Sequence, residues 1–85
     1  MHFPDRLYPL FDPAGVGART AEACSIPLGE LRYRHFPDGE SYLRILDQCA
    51  GQHVAIFAQL DQPDLKLPGL MFAAIQLREM GAASV

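Results

Sequence analysis

The stretch RHFPDGESYLRI, residues 34–45, decides how the fold of this chain is interpreted. Its Pro-Asp-Gly triplet lies between two segments that alternate apolar and polar residues, ELRYRHF and SYLRIL. Proline presets the second position of a β-turn, and glycine tolerates positive φ. Because alternation with a period of two indicates half-buried strands, the stretch predicts a β-hairpin. Along its first strand, one face carries Leu31, Tyr33 and His35, and the other carries Arg32, Arg34 and Phe36.

The segments around the hairpin predict a small α/β domain. The expected elements are a strand near Leu7–Phe11, a helix over Val16–Cys24, a strand over Gln52–Leu60 and a helix over Pro68–Met80. The apolar run over Gln52–Leu60 suits a central strand of a parallel or mixed sheet. The final helix is apolar around most of its circumference, so we expect it to be buried between layers or against another subunit.

The end of the chain predicts an incomplete unit. Gly81 is expected to stop the last helix, and the closing residues AASV to begin another strand. A strand–helix–strand crossover that ends in its second strand is unfinished. We therefore expect residues 1–85 to be one partial domain that continues beyond Val85.

Length and composition fit one small domain. The chain has 85 residues, 49% hydrophobic and 20% charged, close to the averages for folded soluble domains. A core of this size is marginal, because small chains bury a smaller share of their surface. The net charge of −3 and the scattered Lys and Arg residues give little support to nucleic-acid binding. No membrane-spanning run and no secretory pattern is found, so the cytoplasm is the expected compartment.

Two interpretations of the hairpin tip stay open from the residues alone. The first is a surface turn with solvated acids, because Pro-Asp-Gly is a common turn triplet. The second is a small pocket. Phe36 offers a flat face on which a planar base can stack, and Asp38 and Glu40 offer acceptors for an exocyclic amine such as that of adenine. This set suits adenine and is a poor phosphate binder.

The remaining polar positions predict little chemistry. The GVG at residues 15–17 precedes a helix, but Thr20 replaces the third glycine of G-x-G-x-x-G, so it is interpreted as a helix start. Three polar residues follow the strand over Gln52–Leu60 at its carboxyl end, where open α/β sheets place ligands. These candidates for a polar rim are Asp61, Asp64 and Lys66.

The histidines and cysteines do not form a recognisable reactive group. His2, His35 and His53 are dispersed, and Cys24 and Cys49 have no C-x-x-C spacing. We expect ordinary half-buried histidines and two reduced, partly buried thiols. Neither a catalytic arrangement nor a metal site is predicted.

The order of these motifs resembles one family. RHFPDGESYLRI, then GQHVAIFAQL, a Pro-Asp loop and LMFAAIQLREMGAASV are similar to the amino-terminal domain of ribose-phosphate diphosphokinases (phosphoribosyl pyrophosphate synthetases). The likeness covers about residues 7–85. It implies a phosphoribosyltransferase-like (PRTase-like) α/β fold of three layers and homo-oligomers, which would account for the apolar helix. It implies transfer of diphosphate from ATP to C1 of ribose 5-phosphate, with Mg²⁺.

The resemblance also implies a site. In the family, a loop of this pattern grips adenine, and by motif position its residues here are Phe36, Asp38 and Glu40. The family's catalytic histidine, basic loop and ribose-phosphate loop would lie beyond Val85, so we expect this piece alone to be inactive. Where many bacterial members have Arg-Gly, this chain has Ala50 and Gly51, so the resemblance does not imply their anion-dependent regulation here. The alternatives are a non-catalytic relative that binds nucleotide or synthetase subunits, and a small interaction domain.

Overall fold

The computed structural model describes residues 3–35, 39 and 41–85. Its elements are β1 (Arg6–Leu10), α1 (Val16–Ala23), β2 (Leu31–His35), β3 (Ser41–Ile45), β4 (Val54–Ala58) and α2 (Pro63–Glu79). β1 and β4 pair in parallel, and β2 and β3 pair as an antiparallel hairpin. The prediction of an α/β fold with a hairpin is confirmed.

β1 has hydrogen-bonded neighbours on both sides despite its proline. On one side it pairs with β4 along its whole length. On the other side, the Leu7 amide donates to the Pro27 carbonyl (3.0 Å), and the Gly29 amide donates to the Leu7 carbonyl (2.8 Å). The backbone groups of Pro9 point to this second side, because they lie two residues beyond those of Leu7. Pro9 therefore takes no donor from the β1–β4 ladder, and the strand tolerates it.

The two faces of the β1–β4 pair carry different helices. Leu7 packs with Ala21 and Ile26 on the α1 side. Tyr8, the next residue, packs with Leu77 of α2, and so it lies on the opposite face. The second cluster also contains Ile45, Cys49 and Val54, so it joins the hairpin to the sheet.

β4 also contacts the carboxyl-terminal segment. The Val54 amide donates to the Ser84 carbonyl (3.0 Å), and the Ala83 amide donates to the Gln52 carbonyl (2.7 Å). His53 and Ser84 form a parallel bridge. The segment AASV thus begins strand pairing beside β4, as predicted, and β4 lies between β1 and this segment.

α2 begins earlier than the sequence predicted. The expected start was Pro68, but the helix begins at Pro63, with Gln62 as N-cap at a φ of 57°, and contains Pro68 in its interior. Proline suits the first helical position because it has no amide hydrogen to leave unpaired. Pro63 fills that role, and the expected start was five residues too late.

α2 buries one narrow face and exposes the other. Gly69, Ala73 and Leu77 are buried at helical spacing, whereas Leu65, Met71 and Phe72 are 55–72% exposed. The predicted burial around the whole helix is therefore not met by the contacts of this chain. Across the described part of the chain, no helix is long and apolar enough to cross a membrane.

Candidate functional site

The hairpin forms a regular frame for the predicted loop. Its register runs without a bulge from Leu31 opposite Ile45 to His35 opposite Ser41. Residues 36–40 connect the two strands. Gly39 has a φ of +90°, which fits the predicted turn role of this glycine. The three predicted site residues, Phe36, Asp38 and Glu40, lie outside the described residues.

The base of the hairpin is fastened by Asp47. One carboxylate oxygen of Asp47 accepts a hydrogen bond from the Glu30 amide, at the start of β2. The other lies 3.4 Å from the Arg6 guanidinium of β1. The Leu46 amide donates to the Glu30 carbonyl at 2.9 Å. Asp47 therefore joins the base of the hairpin to β1.

The inner face of the hairpin packs against α2 and the end of β1. This face carries Leu31, Tyr33, Leu43 and Ile45, because alternate residues of a strand share a face. The Tyr33 ring meets the Phe11 ring edge to face, with centroids 5.1 Å apart. An added Cβ at Gly69 would lie 2.9 Å from Tyr33 Cε2, so glycine permits this close approach of helix and hairpin.

The outer face of the hairpin is basic, and the sequence prediction missed it. Arg32 lies directly opposite Arg44, and Arg34 opposite Tyr42, so the four side chains share one face. Together they line a shallow depression of about 180 Å³. The expectation that basic residues are scattered is wrong for three of the seven. The sequence does contain the pattern: R-x-R precedes the turn and Y-x-R follows it, and residues two apart in a strand lie on the same face.

Part of the predicted polar rim forms at the carboxyl ends of β1 and β4. The Lys66 ammonium donates to the Asp61 carboxylate and to the Gln59 carbonyl (3.1 Å). The hydrogen bond from Lys66 holds the pKa of Asp61 below its ordinary value. The same ammonium lies 5.8 Å from the Phe11 ring centroid. Asp64 is exposed in the first turn of α2, and among the described acids Lys66 forms its ion pair with Asp61.

The glycines at residues 15–17 belong to the start of α1, as predicted. Gly15 is the N-cap residue at a φ of 70°, and the Ala18 amide donates to Asp12 Oδ2 at 3.2 Å. An added Cβ at Gly17 would lie 2.7 Å from the Phe57 ring, so this glycine permits helix–sheet contact. The Arg19 guanidinium donates to the Ala14 carbonyl (2.7 Å). These contacts account for the motif without a phosphate.

The other described histidine, cysteine and tyrosine side chains pack or hydrogen-bond within the fold. His53 Nδ1 lies 2.7 Å from the Ser84 hydroxyl. Both cysteines are free, and the Cys49 thiol is buried beside the Leu77 carbonyl. Burial, with the Asp47 carboxylate as a smaller cause, raises the pKa of Tyr8 to about 12. Within residues 3–35, 39 and 41–85, no group of three His, Cys, Asp or Glu side chains could hold a metal ion.

Comparison with known proteins supplies the decisive observation. The chain is 33% identical over 69 residues to the ribose-phosphate pyrophosphokinase of Saccharolobus solfataricus, which covers 80% of this chain and 24% of that protein. The protein of the same name from Methanothermobacter thermautotrophicus is 30% identical over 67 residues, 79% of this chain and 24% of its own length. This chain is related to the ribose-phosphate pyrophosphokinases over one part of their length.

The remaining comparisons agree with this relationship. The ribose-phosphate pyrophosphokinase of Sulfurisphaera tokodaii is 33% identical over 52 residues, 61% of this chain and 18% of that protein. No protein-family model matches the chain. The chain spans about a quarter of the length of the first two curated relatives. The resemblance to the diphosphokinases, which is this family under its other name, is confirmed as a partial one.

Proposed function

We propose that this chain is the amino-terminal, ATP-side part of a ribose-phosphate diphosphokinase with a PRTase-like fold. Such an enzyme transfers diphosphate from ATP to C1 of ribose 5-phosphate and releases AMP. One observation carries the proposal: about four-fifths of the chain is similar to two ribose-phosphate pyrophosphokinases. The α/β architecture and the parallel β1–β4 pair are compatible with it.

The hairpin gives the chain its part in this reaction. Phe36 would stack on the adenine base, and Asp38 and Glu40 would accept from its exocyclic amine. The frame supports such a role, because Asp47 holds the hairpin base to β1 and Tyr33 packs against Phe11. A rigid frame limits the freedom lost when a ligand binds.

Magnesium enters the proposal with ATP as part of the substrate. The described residues do not provide a carboxylate cluster for it, so no step is assigned to a metal on this chain. Phosphoryl-type transfer depends mainly on positioning and charge neutralisation. The chain would contribute alignment of the base, and we propose that it is inactive without the remainder of the enzyme.

Homo-oligomers form a further part of the proposal. Leu65, Met71 and Phe72 of α2 are each more than half exposed. Exposed apolar side chains along one helix are typical of a surface that another protein layer covers. A second subunit is the covering layer that the family resemblance implies.

The experiment that tests the adenine loop is Phe36→Ala in the protein at its native length. Loss of one base-stacking contact is worth about 1–3 kcal/mol, which corresponds to a rise of about 5- to 150-fold in the KM for ATP. The KM for ribose 5-phosphate should change much less. Phe3→Ala is a matched control, because it removes the same ring from an exposed position beside His53 and Ser84, away from the hairpin. Equal rises for both substrates would remove the stacking role.

Glu40→Gln tests how the base is recognised. The substitution replaces a carboxylate acceptor with an amide, so discrimination between ATP and GTP should weaken. The measurement is the ratio of kcat/KM for the two nucleotides. An unchanged ratio would place Glu40 outside the base site.

A further inference from the structure

The outer face of the hairpin concentrates positive charge where strand pairing disfavours it. Arg32 and Arg44 are direct cross-strand neighbours, a position at which Cβ atoms lie about 5 Å apart and like charges destabilise the pair. Arg34 is the next residue of β2 on the same face. Three guanidinium groups therefore lie within a strip two strands wide.

Carboxylates in the described structure neutralise little of this charge. The Arg32 guanidinium lies 4.0 Å from Glu30, and both side chains are about two-thirds exposed (64% and 65%), so the pair is weak. Elsewhere in residues 3–35, 39 and 41–85, no acid forms an ion pair with Arg34 or Arg44. The described residues of this face therefore carry three positive charges with one weak ion pair, although the whole chain has a net charge of −3.

The chemistry of this face fits linked phosphates. Each guanidinium presents a planar fork of donors that matches phosphate oxygens. Alternate residues of a strand lie about 7 Å apart, so a single phosphate meets all three groups only if the side chains converge on one point. Two or three phosphates joined through shared oxygens can meet them without such convergence. We propose that the basic face, formed by Arg32, Arg34, Tyr42 and Arg44, binds the oligophosphate group of a small molecule.

The surroundings of the face favour a small anion over a long one. The basic strip has only three charges, and the depression that it lines is about 180 Å³. A nucleic-acid strand extending beyond the strip would meet a chain that is acidic overall. An acidic peptide offers carboxylates, but it must lose conformational freedom to align them, whereas linked phosphates are already close together. Tyr42, 43% exposed, offers a ring beside the arginines.

The proposal for the basic face does not depend on the proposed adenine loop. All four residues of the face are described, and none is a residue of the tip. An oligophosphate could come from a nucleotide or from an inorganic polyphosphate. The test must therefore separate the base from the phosphates.

The experiment is calorimetric titration of the protein at its native length with inorganic tripolyphosphate, ATP and adenosine in turn. Tripolyphosphate should bind saturably, and more weakly as salt rises, because the contact is between charges. Arg34→Gln and Arg44→Gln should each raise its Kd about tenfold or more. Arg34→Lys should lose part of the affinity for tripolyphosphate, because lysine keeps the positive charge but lacks the planar pair of guanidinium donors. Arg78→Gln removes the same charge from exposed α2 and should change Kd less than about twofold.

The outcomes are distinct. ATP binding more tightly than tripolyphosphate identifies a nucleotide as the source, and equal affinities identify the oligophosphate itself; both support the proposal. No saturable tripolyphosphate binding at millimolar concentration overturns it, as does an equal loss in Arg78→Gln. Tighter binding of tetraglutamate or single-stranded DNA also overturns it. Loss of adenosine binding in Phe36→Ala, with tripolyphosphate binding unchanged, reports on the adenine loop alone.

The stability of the variants keeps the test interpretable. Arg44→Gln removes a like-charge neighbour of Arg32, so the variant should unfold at the same or a higher urea concentration. Weaker anion binding by a protein of equal or greater stability cannot be ascribed to misfolding. A variant that loses both stability and binding would contradict the arrangement of charges described.

Discussion

Asp47→Ala is the substitution that most directly tests how the hairpin is held. The change removes the acceptor of the Glu30 amide and the ion pair with Arg6. A hydrogen bond to a charged group contributes about 1.5–3 kcal/mol. The low end applies because water can reach the freed Glu30 amide, at an exposed position. The ion pair, with both side chains about a quarter exposed (23% and 25%), adds about 0.5 kcal/mol.

The expected loss is therefore about 2 kcal/mol in the free energy of unfolding. Urea unfolding followed by far-ultraviolet circular dichroism measures it, with the slope checked for constancy. Asp47→Asn keeps an oxygen acceptor without the charge, so it should lose about half as much. Glu22→Ala removes an equal charge from an exposed position of α1 and should change stability by less than about 0.5 kcal/mol.

The Asp47→Ala substitution should also change the KM for ATP. On the proposed function, a loosened hairpin base should raise the KM for ATP more than that for ribose 5-phosphate, because the loop at its tip reads the base. An Asp47→Ala protein as stable as the parent would refute the anchoring role. Equal losses in Asp47→Asn and Asp47→Ala would refute the contribution assigned to the Glu30 hydrogen bond.

Two further substitutions test the core around Tyr8. The Tyr8 hydroxyl is buried and has no hydrogen-bond partner among the described residues, so Tyr8→Phe should raise the free energy of unfolding at pH 7 by about 1 kcal/mol. Because burial raises the Tyr8 pKa to about 12 from an ordinary value near 10, the folded protein keeps a proton that the unfolded chain releases. The parent should therefore lose about 2–3 kcal/mol of its free energy of unfolding between pH 10 and 12, a contribution that is fully present below pH 10. Tyr8→Phe should not show this loss, and urea unfolding measured against pH tests the difference. In Gly29→Ala the new Cβ would lie 2.2–2.5 Å from three Tyr8 ring atoms, and urea unfolding should show a loss of at least about 1–3 kcal/mol. Adding Tyr8→Leu should recover part of that loss, and strictly additive effects would contradict the clash.

Local patterns were enough to predict most of the elements. The hairpin follows from two alternating segments around Pro-Asp-Gly, and β4 follows from its apolar run. β1 was predicted despite Pro9, and the structure explains why it survives: the residue points away from the β4 ladder. These features depend on few residues close in sequence, which is why a single sequence reveals them.

The features that were missed depend on contacts between distant residues. Two prolines could each begin α2, and the start at Pro63 becomes clear only when Lys66, which precedes Pro68, is seen to contact Asp61, the Gln59 carbonyl and the Phe11 ring. The basic face needed the register that places Arg32 opposite Arg44. That register is fixed by strand pairing and not by composition, so counting charges along the chain could not find it.

The predicted adenine site was inferred from more than local sequence patterns. Phe36, Asp38 and Glu40 were inferred from ring and carboxylate chemistry together with the family resemblance, and they lie outside the described residues. The relationship to the ribose-phosphate pyrophosphokinases is shown over about 80% of the chain. The role of these three residues is a proposal that the Phe36→Ala and Glu40→Gln experiments decide.

The central claim is most directly tested by assaying AMP release from ATP by the protein at its native length. With Mg²⁺ present, AMP should form only when ribose 5-phosphate is added, and one phosphoribosyl pyrophosphate should form for each AMP. A folded protein that binds ATP but releases no AMP with ribose 5-phosphate would contradict the claim.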